Sequence, residues 1–117
     1  MPKHLFVYGT LHPDRAPAEI ADVIRPLREV GVGMISGTKY DLGDYPGVVQ
    51  HPGSEDKVEG TIFAMPDDAD LLAALDRYED YRPGDPANSL FLRVQLPVTL
   101  ADATLLDCWV YLYNQPI

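Results

Sequence analysis

Two long apolar runs close the chain, "SLFLRVQLPVTL" and "ATLLDCWVYLY", joined by a short "ADA" turn. Runs of this length, rich in β-branched and aromatic residues around so short a connection, read as a paired hairpin. A sheet is therefore built into the last third of the sequence. What precedes the hairpin decides which kind of sheet it joins. "KVEGTIFAM" alternates, with Val58, Gly60, Ile62 and Ala64 on one face and Glu59, Thr61, Phe63 and Met65 on the other. A first strand is expected at about Lys3 to Tyr8. "EVGVGMISGTKYDLG" reads as one irregular strand, bent or bulged at Gly31, Gly33 and Gly37. "DYPGVVQ" reads as a tight turn with Pro at its second position and Gly at its third, then a very short strand.

Two stretches change period. "PDDADLLAALDRYEDY" sets Leu71, Leu72, Leu75 and Tyr78 on one side at helical spacing. Asp67 can cap this helix after Pro66, and "RPGDP" ends it. A shorter helical stretch is expected around Ala18 to Ile24, closed by Pro26. The order is strand, helix, strands, helix, hairpin. Regular βαβ alternation is missing, which argues against a doubly wound sheet. Glycines within the strands favour curvature. The expectation is an α+β fold: a small mixed or antiparallel β-barrel with one main helix and a short helical segment.

Length and charge narrow the function. The 117 residues, of which 46% are hydrophobic, suit one domain over residues 1–117 with a real core. A formal net charge of -9 opposes phosphate backbones and anionic lipid, so neither nucleic acid nor a membrane is an expected partner. No run approaches the roughly 20 apolar residues of a membrane span. The opening "MPKHLFVYG" reads as a first strand rather than a secretory signal. One cysteine, Cys108, permits no internal disulfide. A cytoplasmic location is the expectation.

Glu79 is the first residue to weigh for chemistry. Leu75 and Leu72 lie one and two turns before it, which puts it within the apolar stripe, while Arg77, Asp70 and Asp80 point away. Burial and the helix dipole would both raise its pKa, and a carboxylate near neutrality can accept a proton and return it. The other reading is that the helix frays at Tyr78 and Glu79 simply meets water. The second feature is "LFVYGTL". Gly9 between a strand and a loop allows positive φ or close approach of a ligand, and successive free N–H groups there can form an anion-binding hollow; an ordinary turn is the alternative. "DYPGVV" could likewise bring Tyr45 to a pocket rim or be only a turn. Tyr111 and Tyr113 share a face of the last strand and read as core or as pocket wall. His4, His12 and His51 have no metal-ligand spacing, and Cys108 beside Trp109 reads as packing. No phosphate-loop, dinucleotide or nucleophile-elbow motif is present.

The order of the motifs says more than any one of them. "VYGTL", "GDYPGV", "VEGTIFAM", "LDRYEDY", "FLRV" and "CWVYLYN" together resemble the gamma-glutamylcyclotransferase-like family from Leu5 to Asn114. The resemblance implies a small mixed β-barrel with flanking helices. It implies an enzyme that releases 5-oxoproline from a small gamma-glutamyl amide, with the substrate's own α-amine as nucleophile and no cofactor or metal. It places the acid–base glutamate at Glu79, a backbone-binding turn at Tyr8, Gly9, Thr10 and Leu11, and a further pocket residue at Tyr113. Two departures stand out: Asp80 follows the glutamate where the family often has Gly, and "HPDRAPAE" follows the turn in place of a basic or glycine-containing loop. A non-catalytic module binding a carboxylate-bearing metabolite is the alternative on the same fold. The oligomeric state is left open.

Overall fold

The computed structural model describes residues 2–9, 17–43, 45–50 and 55–116. Strand β1 (His4–Val7) is followed by helix α1 (Ala18–Ile24), then β2 (Arg28–Ser36), β3 (Thr38–Asp41), β4 (Pro46–Val49) and β5 (Lys57–Ala64). Helix α2 (Ala69–Tyr78), a 3-10 turn (Pro86–Asn88) and strands β6 (Phe91–Leu100) and β7 (Leu105–Tyr113) complete the order. The C-terminal hairpin forms as expected, with β6 and β7 in unbroken antiparallel register from Phe91↔Tyr113 to Thr99↔Leu105.

Five strands close into a barrel in the order β1-β5-β2-β6-β7. Four of the contacts are antiparallel, and β1 meets β7 in parallel at Leu5↔Trp109. The barrel is thus mixed. A bulge between Glu29 and Gly31 interrupts the β2–β5 register, consistent with the bending that closure needs.

Alternation places apolar residues on both faces, because both faces are covered. Phe6, Ile35, Val58, Ile62, Val98, Cys108 and Val110 come from all five strands and fill the interior. Leu5, Val7, Phe63, Phe91 and Tyr111 face outward and are buried with Ile20 and Ile24 of α1 and Leu71 and Leu75 of α2. Each fully buried Leu, Ile or Phe stabilises the fold by roughly 1.5–3 kcal/mol, so the two layers hold the helices firmly on the barrel.

Three local expectations are corrected. Residues 28–41 form two strands, not one: the chain breaks at Gly37, whose φ of +156° few L side chains adopt, and β3 leaves the barrel to pair with β4 alone. Pro46 and Gly47 belong to β4 and not to the turn. They pair with Asp41 and Tyr40, and the reversal lies upstream, where the Leu42 N–H donates to the Tyr45 carbonyl. The cap of α2 is Asp68 rather than Asp67. Its extended backbone lets its side chain accept from the Asp70 N–H at 2.9 Å.

Candidate functional site

Helix α2 ends one residue before Glu79, which takes the C-cap position. Its N–H still donates to the Leu75 carbonyl at 3.0 Å. Asp80 then turns left-handed at φ +54°, its N–H donating to the Arg77 carbonyl and that of Tyr81 to the Asp76 carbonyl. This pair of bonds is a Schellman closure, and it swings the chain sharply away. Both sequence readings of Glu79 therefore hold in part: the helix does stop at Tyr78, yet the carboxylate does not go to water. It lines a cavity of about 250 Å³. Burial pushes its pKa up to about 7.

The cavity gathers residues from distant parts of the chain. Tyr8 and Gly9 come from just beyond β1, whose ladder with β5 ends at Val7↔Thr61. Tyr45 and Pro46 come from the start of β4, and Leu90 and Phe91 from the start of β6. Tyr78 and Glu79 bring the end of α2, and Tyr111 brings β7. The Phe91 ring packs on Tyr45 at 5.7 Å between centroids, which sets an aromatic wall.

The two tyrosines near Glu79 are tightly held. The Tyr8 hydroxyl donates to the Tyr111 carbonyl. The Tyr111 hydroxyl donates to Asp76 Oδ1 at 2.7 Å. Burial raises the pKa of both phenols; the Glu79 charge raises that of Tyr8 further, and the hydrogen bond to Asp76 raises that of Tyr111 further. Asp76 is 7% exposed and is held by Arg93, whose Nε and Nη2 donate to its two oxygens at 2.8 and 3.2 Å. The Arg93 guanidinium lies over the Trp109 ring at 4.3 Å and near Tyr81 at 5.6 Å.

The expected site residues are placed unevenly. Tyr8, Gly9 and Glu79 meet in one cavity. Thr10 and Leu11 lie outside the described residues, as do His12 and His51. Tyr113 does not line the cavity: its ring stands edge-on behind Phe91 at 5.6 Å, and its Cβ would lie 2.9 Å from a side chain at Gly47. Of the two uses expected for glycine at position 9, positive φ is not the one. Its φ is not positive, and a Cβ there would sit 2.8 Å from Pro46 Cγ, so close packing of β4 requires it. Cys108 is fully buried with its thiol pushed up to about 12, first by burial and then by Asp107. Among the described residues, no three His, Cys, Asp or Glu side chains are grouped to hold a metal.

Asp76 and Arg93 escaped the sequence reading as members of a site. Asp76 does fall within the apolar stripe, one turn after Leu72 and beside Leu75, and a carboxylate there needs a partner. Arg93 occupies an outward position on β6 directly opposite Tyr111. The pairing becomes visible only once the helix is laid on the hairpin.

A family model described as "Gamma-glutamyl cyclotransferase, AIG2-like" matches residues 5–117. The chain belongs to that family. Solved structures share its architecture. An AIG2-like protein of Mus musculus superposes with a TM-score of 0.74 at 25% identity, covering 98% of this chain and 79% of that one. Bacillus subtilis YkqA gives 0.72 at 19% identity over 97% of this chain, and a solved gamma-glutamyl cyclotransferase gives 0.66 at 18% over 94%. This chain spans 36% of the YkqA chain and 65% of that cyclotransferase. Identities this low speak for the fold. No curated protein matches the sequence.

Proposed function

We propose that this protein is a gamma-glutamyl cyclotransferase-type enzyme that converts a small gamma-glutamyl amide into 5-oxoproline and a free amine or amino acid. The observation that carries the reading is Glu79: a carboxyl group with its pKa pushed up to about 7, lining a cavity beside Tyr8 and Gly9. The substrate's α-nitrogen attacks its own γ-carbonyl carbon. A new nitrogen–carbon bond closes the five-membered ring, and the old amide bond breaks. Glu79 takes a proton from the attacking ammonium and delivers one to the departing nitrogen. A group titrating near neutrality suits both transfers, and such help is worth about 10² to 10⁴ in rate. Holding amine and carbonyl in one bound molecule adds the advantage of positioning.

Backbone N–H groups of the turn at Tyr8, Gly9, Thr10 and Leu11 would hold the substrate carboxylate, as the family resemblance implies, with Tyr113 supporting the wall through Phe91. The family membership supports a small-molecule substrate. The location of Glu79 weighs against a purely binding module, because a carboxylate in the cavity gains nothing for an anion that is only to be held. Incubation with a panel of gamma-glutamyl amides tests the proposal and the leaving-group preference together. Wild type is expected to release 5-oxoproline from at least one of them, and Glu79→Gln is expected to release none while keeping its circular dichroism and melting cooperativity. Normal turnover by the variant refutes the assignment.

A further inference from the structure

Among the described residues no donor is bonded to the Glu79 carboxyl. Its place in the cavity is therefore set by the cavity walls and by the backbone turn that carries it. Most bonds of that turn stay within the helix end: the N–H groups of Glu79, Asp80 and Tyr81 go to the carbonyls of Leu75, Arg77 and Asp76. One backbone bond leaves it, from the Leu90 N–H to the Asp80 carbonyl at 3.0 Å. Side chains supply the other ties to the barrel. Arg93 of β6 touches both sides of the turn. Three residues before Glu79 its fork holds the Asp76 carboxylate at 2.8 and 3.2 Å. Two residues after Glu79 its guanidinium carbon lies 5.6 Å from the centre of the Tyr81 ring, within the range of a cation–π contact. The Trp109 ring at 4.3 Å and the Tyr111 hydroxyl bonded to Asp76 fix the same group to β7.

We infer that Arg93 is a positioning residue for Glu79: by gripping Asp76 before the turn and Tyr81 after it, it holds the carboxyl in the cavity. The task suits arginine. A planar guanidinium can bind a carboxylate through its edge and face aromatic rings at the same time, whereas the ammonium of a lysine is a point charge without a fork. Its bearing on turnover rests on Glu79 being the acid–base group proposed above. Opening the clamp would let the turn drift and water reach the carboxyl, which then reverts to an ordinary surface glutamate. The ionisable side chains that line the cavity with Glu79 are Tyr8, Tyr45, Tyr78 and Tyr111. Around its turn Asp76 is paired with Arg93, Asp80 with Arg82 at the surface, and Arg77 is exposed.

The test is an NMR titration of isotopically labelled glutamate carboxyls without substrate, with Glu79→Gln identifying the resonance. Wild type is expected to titrate at about 7. Two variants open the clamp from opposite sides. Arg93→Lys keeps the positive charge and loses the fork; Tyr81→Leu keeps the ion pair and loses the ring. The Glu79 midpoint should move at least half-way from about 7 toward 4.5 in Arg93→Lys, and in the same direction by less in Tyr81→Leu. Neither substitution removes a charge, so a change in Coulombic attraction does not account for such a fall. If these residues only fasten helix α2 to the barrel, the urea midpoint drops while Glu79 titrates as in wild type, and the clamp is refuted. Wild-type Glu79 titrating at its ordinary value refutes it too. Should Arg93→Lys not fold, Tyr81→Leu decides alone, and an unmoved midpoint there overturns the proposal. The enzyme assay fails or succeeds separately. A midpoint that falls in the variants, with no 5-oxoproline released by wild type, removes the enzyme and leaves the clamp; 5-oxoproline release with unmoved midpoints does the reverse.

Discussion

Glu79 lies where a helix end would normally send a side chain into water, and its surroundings make it titrate near neutrality. Its pKa rises from 4.5 to about 7 because burial penalises the charged form. The folded protein thus holds this proton more tightly than the unfolded chain does. Stability from Glu79 is fully present below about pH 4.5 and is lost as pH rises through about 7. At about 1.4 kcal/mol per pKa unit, the loss approaches about 3 kcal/mol. Urea unfolding at about pH 5 and about pH 8 should show this decline in wild type and a flatter profile in Glu79→Gln, which should be the more stable of the two at the higher pH. If Glu79 is the base, as proposed, turnover that needs it ionised should rise with an apparent pKa of about 7. The place of Glu79 on the apolar stripe was readable from Leu72 and Leu75. The importance of Asp76 was not, because a helical wheel shows a buried carboxylate but not the arginine that neutralises it.

Helix α2 is positioned by its ends and by one ion pair. At its start Asp68 accepts from Asp70, and at its close Asp80 adopts φ +54° in the Schellman turn. A left-handed conformation costs an L residue roughly 1–2 kcal/mol, less for Asp, whereas Gly takes it without strain. That is a physical reason for the glycine often found after the glutamate in the family. Asp80→Gly gives up only an exposed pair with Arg82, worth little. It should therefore raise stability by about 0.5–1 kcal/mol, measured as a higher urea midpoint at unchanged slope. The Leu90 N–H donates to the Asp80 carbonyl, so the turn also ties the helix end to the start of β6, and that tie should survive the substitution.

The barrel imposes proximity on strands that the chain keeps apart. β1 is the first strand and β7 the last, and their parallel contact at Leu5↔Trp109 closes the cylinder. That closure sets Tyr8 against the Tyr111 carbonyl. Charge works against compactness: 18 acidic side chains face 9 basic ones, for a net charge of -9. Self-repulsion of this kind is screened as the Debye length falls from about 30 Å at 0.01 M salt to about 8 Å at 0.15 M. Melting followed by circular dichroism at these two ionic strengths should show a midpoint several degrees higher in the saltier buffer. An unchanged midpoint would mean that the acidic groups are already balanced by their neighbours.

The hairpin, the alternation of β5, the bounds of α1 and the existence of α2 were legible because each depends on residues close in sequence. Period-2 and period-3.6 patterns report which face of an element is buried, and short turns report what pairs with its neighbour. The split at Gly37 and the place of Pro46 were not legible, since a strand's partner depends on the edges left free elsewhere. The site divides in the same way. Glu79 and the turn at Gly9 could be nominated singly from local pattern, and a resemblance in motif order joined them. That a side chain at position 9 would meet Pro46, that Tyr111 rather than Tyr113 lines the cavity, and that Arg93 pairs with Asp76 all follow from contacts between separate elements. Such contacts arise only when the barrel closes, because closure brings together residues that no local periodicity relates.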